Sequence, residues 1–189
     1  MVKEVNIAVA IALVDEALKQ SKELMNYLEE KYKIGFVKNS QHSPHITLCI
    51  GVISEDKLTL LFESLKDVLK DEMFVISTNG LGIFLGEKPN LHIRWRQNDK
   101  LHKLKHLIQE RLKDVWQEDT FYNDTNNYLA KSSLAYDDFS YTHLSSMNFD
   151  KIKIKNVDMQ VREISIIQFE NGQQERELYR LIIKKENKE

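Results

Sequence analysis

Pro44-His45-Ile46-Thr47-Leu48 is the stretch on which the reading of this chain turns. It lies at the head of a run from His45 to Val52 that is rich in apolar and β-branched side chains. On a strand, residues two apart project from the same face. His45 and Thr47 are therefore predicted side by side, with Ile46 and Leu48 turned into the core. An imidazole that changes protonation near neutral pH beside a hydroxyl that can bond a phosphate oxygen is a pair that phosphate-ester chemistry can use.

Working outward, the pattern predicts strands and helices in repeating order. Asn6–Val14 reads as a buried strand and Asp15–Lys31 as an amphipathic helix carrying Ala17, Leu18, Leu24, Met25 and Leu28 on one side. Ser40–Val52 contains the His45 strand, and Ser54 is the expected N-cap of a helix bearing Leu58, Leu61, Leu65, Val68 and Leu69. Met73–Phe84 and Leu91–Arg96 form an expected hairpin around Gly86–Asn90. Asn98 or Asp99 then caps a helix running to about Trp116, and Glu118–Asn127 reads as a loop. Strands follow over Tyr128–Tyr136, within Lys151–Phe169 and over Glu177–Ile183, and the charged tail 184–189 is expected to fray.

The fold class is thus α+β, with two similar halves, each made of an apolar strand, a helix and a strand carrying a polar residue two before a hydroxyl. The second such strand is Lys131-Ser132-Ser133-Leu134. It sets Lys131 where His45 stands, Ser133 where Thr47 stands and Leu134 where Leu48 stands. The spacing of 86 residues between the motifs leaves room for a helix, a hairpin and another helix.

In these motifs the chain resembles the two-histidine phosphoesterases, the LigT-like superfamily of RNA ligases and cyclic phosphodiesterases. The resemblance implies a single bilobal domain over 1–189, with two antiparallel sheets flanked by helices around a central cleft. It implies a phosphodiesterase acting on a nucleotide or RNA end with a cyclic phosphate or 2′,5′ linkage, without a metal or other cofactor. In that family two histidines serve as acid and base while two hydroxyls hold the phosphate. His45, Thr47 and Ser133 carry over, whereas Lys131 departs from the pattern. A lysine ordinarily titrates near 10.4 and is a poor base at neutral pH, but it donates hydrogen bonds and stabilises negative charge. The expectation is a phosphodiesterase of reduced or altered activity. The alternative is an inactive relative that binds a nucleotide or a partner protein. His143, in Thr142-His143-Leu144-Ser145, is the other residue that can be aligned as a second imidazole.

The remaining polar residues read more plainly. His42 is expected in a solvent-exposed loop. His92 and Arg94 lie on the polar face of a strand whose other face is Leu91, Ile93 and Trp95; Arg94 there suits phosphate binding. His102 and His106 have metal-compatible spacing but no third ligand beside them, and Lys103 and Lys105 flank them. Tyr136, Phe139, Tyr141 and Tyr179 are aromatic residues suited to stacking on a base, and Tyr136 is the expected substrate contact among them. Cys49 falls two beyond Thr47, on the same nominal face, as a small half-buried residue.

Composition bounds the rest. The chain has 189 residues, 42% hydrophobic and 30% charged, with a net charge of -2, ordinary values for a globular protein. That balance argues against a duplex nucleic-acid binder, which would be more basic. The chain contains no Walker loop and no Gly-x-Gly-x-x-Gly. No apolar run is long enough to span a bilayer, the N-terminal apolar segment lacks a basic leader, and a single cysteine fits a reducing cytosol. A cytoplasmic location is therefore expected.

Overall fold

The computed structural model describes residues 3–68, 73–118, 128–169 and 176–182. The first lobe begins with β1 (Glu4–Ala12), α1 (Asp15–Tyr32) and β2 (His45–Ser54), and the second has the same order in β4 (Asn90–Trp95), α3 (Asp99–Leu112) and β6 (Lys131–Ala135). In both units the two strands pair antiparallel although a helix separates them. Between the units lie α2 (Leu58–Leu65) and β3 (Phe74–Phe84), and β5 (Gln117–Glu118) precedes β6. The chain continues through α4 (Tyr141–Ser146), β7 (Asp158–Val161), β8 (Glu163–Phe169) and β9 (Arg176–Ile182). One sheet has the order β5-β2-β1-β8-β9 and the other β6-β4-β3-β7.

The apolar alternation explains which faces are covered. Ile7, Val9, Ile11, Ile46 and Leu48 of the first sheet and Leu91, Ile93 and Trp95 of the second belong to one continuous buried core. The two long helices lie against the opposite sheets: α1 against β6 and β7, and α3 against β2. Burying a large aliphatic side chain contributes about 1.5–3 kcal/mol, so these crossed contacts hold the lobes together as well as each lobe. Tyr128 adds a polar tie, its buried ring carrying a hydroxyl that donates to the Thr47 carbonyl at 3.2 Å.

Helix α1 stops where Lys33 turns left-handed (φ 62°), with its N–H on Glu29 O at 2.9 Å and Ile34 N–H reaching Leu28 O. The chain then crosses to the second lobe, where Asp138 Oδ2 accepts from Gly35 N (2.7 Å) and Phe36 N (2.8 Å). Asn98 caps α3 as its sequence position implies, its side chain accepting from Leu101 N at 2.9 Å.

Several boundaries differ from the pattern reading. Ser54 does not cap a helix through its hydroxyl; that hydroxyl donates to Asp56, and a 3-10 turn over Glu55–Lys57 precedes α2. Helix α2 ends at Leu65, although Val68 is still buried, and Leu69 lies outside the described residues. Helix α3 ends at Leu112 rather than near Trp116. Within it Lys105 is fully buried, its ammonium 5.2 Å from the centroid of the Tyr128 ring, and does not flank the exposed His102 and His106 as a surface charge. Most of the expected loop after Glu118 and the tail 184–189 fall outside the described residues. Among the described residues no helix is long and apolar enough to cross a membrane.

Candidate active site

Strand β2 presents His45 and Thr47 to the space between the sheets because its first residues alternate cleanly: His45 and Thr47 are half-buried, Ile46 and Leu48 fully buried. A β-bulge then breaks the alternation. Val9 pairs with Cys49 and Ala10 with Thr47, so Leu48 is the extra residue. Beyond it Cys49 turns into the core, its sulfur 3.9 Å from the Lys105 carbonyl, and Ile50 takes the cleft face. The expected placement of Cys49 beside Thr47 is corrected by that one inserted residue.

Facing β2, strand β6 presents Lys131 and Ser133. Ser132 between them is buried and accepts from the Trp95 indole at 3.1 Å, which fixes the facing of its two neighbours. His45, Thr47, Lys131 and Ser133 line one cavity of about 210 Å³, together with His42, Asn90, Tyr136 and an apolar floor of Ala8, Ile50, Ile167 and Phe169. Among the described residues that line it, Lys131 alone has a fixed charge, and none is a carboxylate.

The hydrogen bonds behind β6 determine what this wall can do. Ser133 Oγ accepts from Asn90 Nδ2 at 3.2 Å and from Lys131 Nζ at 3.3 Å. A hydroxyl has two acceptor positions and one proton. With both positions filled, the proton of Ser133 is directed to a third partner, and a ligand oxygen in the cleft suits it. Asn90 is oriented in turn by His92, whose Nδ1 lies 3.1 Å from Asn90 Oδ1 and 3.2 Å from Asn90 O. His92 is 1% exposed. Burial first, then the charges of Lys131 and Arg94, push its pKa down from 6.5 to about 4. It is therefore neutral at pH 7, with Nδ1 the donor to Asn90.

The alternation of β4 assigns His92 to a solvated polar face; the structure corrects this. It pairs with Gly82 on β3, and a Cβ there would sit 2.3 Å from His92 Nε2. The missing side chain of Gly82 leaves the space the imidazole occupies, and Phe84 covers it with ring centroids 4.6 Å apart. Arg94 pairs with Lys131 across the ladder but is exposed and is not part of the cavity lining. Tyr136 does line it, edge-on to Phe36 at 5.1 Å.

His42, expected in solvent, is half-buried in the cavity wall against His45. The rings meet edge to face with centroids 4.6 Å apart, and the two Nδ1 atoms are 3.2 Å apart. Only its position three residues before His45 hinted at this, since the fold of the intervening loop is set by distant contacts. His143 lies elsewhere: its Nδ1 accepts from Ser140 N at 3.2 Å as part of the capping box of α4. Of the other aromatic residues, Phe139 is buried in the core, Tyr141 donates to the Gly86 carbonyl and Tyr179 packs on Phe62. Among the described residues no three His, Cys, Asp or Glu side chains are grouped to hold a metal.

The arrangement of strands and helices has solved counterparts. E. coli LigT in complex with 3′-AMP aligns over 97% of this chain and 100% of its own, with a TM-score of 0.62 at 15% identity. The chain has the LigT fold. TT0787 of Thermus thermophilus gives the same TM-score at 12% identity, covering 96% of this chain and 99% of its own. A structure described as a phosphoesterase has a TM-score of 0.56 at 14% identity, over 97% of this chain and 100% of that one. LigT has also been seen with ATP and with NADP+. No family model and no curated protein matches the sequence. The LigT fold is thus retained at identities where the side chains of the cleft have to be read on their own chemistry.

Proposed function

We propose that this protein is a phosphodiesterase acting on a nucleotide or RNA end that carries a cyclic phosphate or a 2′,5′ linkage, without a metal. One observation carries the reading: His45 and Thr47 from one sheet and Lys131 and Ser133 from the other line a single cavity, in which the fixed charge of the described residues is positive. Such a lining favours an anion. Thr47 and Ser133 hold the non-bridging oxygens by donating their hydroxyl protons, and Lys131 places its ammonium beside them. His45 takes a proton from the attacking water. As the new P–O bond forms and the old one breaks, the departing oxygen receives a proton from Lys131, which regains one from solvent. Ala8, Ile50, Ile167 and Phe169 offer an apolar surface for the nucleoside, with Tyr136 at its edge. The occurrence of AMP, ATP and NADP+ in LigT complexes supports a nucleotide as the ligand.

The lysine at 131 favours a second reading, in which the same groups bind a nucleotide phosphate without turning it over. The two are separated by incubating the protein with 2′,3′-cyclic nucleotides and 2′,5′-linked dinucleotides in excess chelator. Hydrolysis that persists with chelator and disappears in His45→Ala is the expected result. Binding of the nucleotide without any product supports the second reading, and loss of activity on chelation, reversed by one divalent ion, refutes the proposed mechanism.

A further inference from the structure

His42 lies beside His45 on the same wall, and the geometry points to a function for the pair: we propose that the two imidazoles titrate as one unit with a proton shared between their Nδ1 atoms. His42 is then a positioning residue that lets His45 Nε2 exchange protons with a substrate. The catalytic consequence rests on the phosphodiesterase reading, whereas the pairing itself does not.

Three atoms converge at one point. His42 Nδ1 is 3.2 Å from His45 Nδ1 and 2.9 Å from Ser43 O, and His45 Nδ1 is 3.3 Å from the same oxygen. Two bare ring nitrogens and a carbonyl would present three acceptors to one another. Two N–H groups pointing at each other would clash in the opposite sense. A proton on either nitrogen turns the contact between the rings into a hydrogen bond, and Ser43 O accepts a share of it. The carbonyl is well placed to hold it there, because its residue is fixed from both sides: Arg180 Nη2 donates to Ser43 Oγ at 3.1 Å, and the next carbonyl, of Pro44, accepts from Leu13 N at 2.9 Å.

The proton count follows. In the neutral pair, His45 Nδ1–H donates to His42 Nδ1 and His45 Nε2 holds a lone pair. When Nε2 takes a proton from the attacking water, the positive charge spreads over both rings through the shared Nδ1 proton, a charge-assisted hydrogen bond. When Nε2 releases that proton, the shared one returns to His45 and no ring has to turn. A second positive charge would set two N–H groups against each other, so the pair takes up protons in two separated steps. The charged groups around it are Lys131 on the cleft side and Lys22, Lys38, Glu177 and Arg180 in the adjoining cavity that His42 also lines. Arg180 is paired with Glu177 and Glu163, and Lys38 with Glu29.

The test is histidine-selective nitrogen NMR of the ligand-free protein across pH, run beside kinetics. The expected result is that both rings report two common titration steps. In His42→Ala, His45 should show one step and lose its fixed tautomer. His42→Asn, whose amide oxygen can accept from His45 Nδ1–H, should restore much of the tautomer, which separates positioning from a fold defect. With the cyclic substrate, His42→Ala should lose roughly tenfold or more in kcat, a share of what general acid–base catalysis supplies, with KM nearly unchanged and the acid limb of the pH profile moved. His45 titrating identically with and without His42 overturns the pairing, whatever the activity. Absence of turnover by the native protein overturns the phosphodiesterase reading instead, and the titration alone then decides the pair.

Discussion

Lowering the pH should destabilise this protein through one buried imidazole, and replacing His92 should remove that sensitivity. In the unfolded chain a histidine titrates near 6.5; in the folded protein burial and two neighbouring cations bring His92 down to about 4. Between those values the unfolded chain binds the extra proton and the folded one does not. Stability therefore falls as pH drops from about 6.5 to about 4 and levels off below. At 1.36 kcal/mol per pH unit, the displacement amounts to about 3 kcal/mol, a large part of a typical domain's 5–15 kcal/mol. The assay is urea unfolding of the native protein and His92→Gln at half-unit steps from pH 7 to 4. Carboxylates and the other histidines contribute equally to both curves, so the difference isolates His92. The native protein should lose about 3 kcal/mol relative to the variant across this window. Parallel curves would refute the argument, and with it the view that His92 holds Asn90 as a neutral donor.

Three further outcomes are expected. Lys131→His should raise phosphodiesterase turnover, mainly in kcat, by providing a group that titrates near neutral pH; weaker nucleotide binding with no turnover would support the binding-protein reading. Gly82→Ala should cost about 1–3 kcal/mol by overpacking, since the new methyl would lie 2.3 Å from His92 Nε2 and 2.8 Å from Arg94 Cδ, and thermal denaturation measures it. Asn98→Ala should cost about 1 kcal/mol through the lost cap of α3, read from the same denaturation curves.

The first motif was legible because its information is local: strand periodicity alone sets His45 and Thr47 on one face. The second needed a comparison within the chain, Leu134 against Leu48 and Ser133 against Thr47, and the structure brings both strands to one cavity. What the pattern missed is set by contacts distant in sequence. The bulge at Leu48 exists only in the pairing of β2 with β1, so the exchange of Cys49 for Ile50 at the cleft has no local signature. His42 reaches His45 because Asp138 holds Gly35 and Phe36 and Arg180 holds Ser43, more than 100 residues away in each case. For His92 a signal did exist in Gly82, but it becomes readable only once β3 and β4 are in register.

The two lobes repeat one unit, strand–helix–strand, yet their chemistry is unequal, and the inequality separates the roles of base and acid. On the first lobe stand two imidazoles, His42 and His45; on the second stands Lys131 with its proton directed at Ser133 Oγ. A lysine, ordinarily titrating near 10.4, enters the reaction as a proton donor over most of the usable pH range, whereas an imidazole can start as acceptor. On the proposed phosphodiesterase reading, water activation by His45 with protonation of the departing oxygen by Lys131 needs only these ordinary states. The expectation is a kcat/KM for hydrolysis that rises through a single limb near the imidazole range and then stays flat to about pH 9. A descending limb between about pH 7 and 9 would mean that Lys131 does not carry the acid's proton.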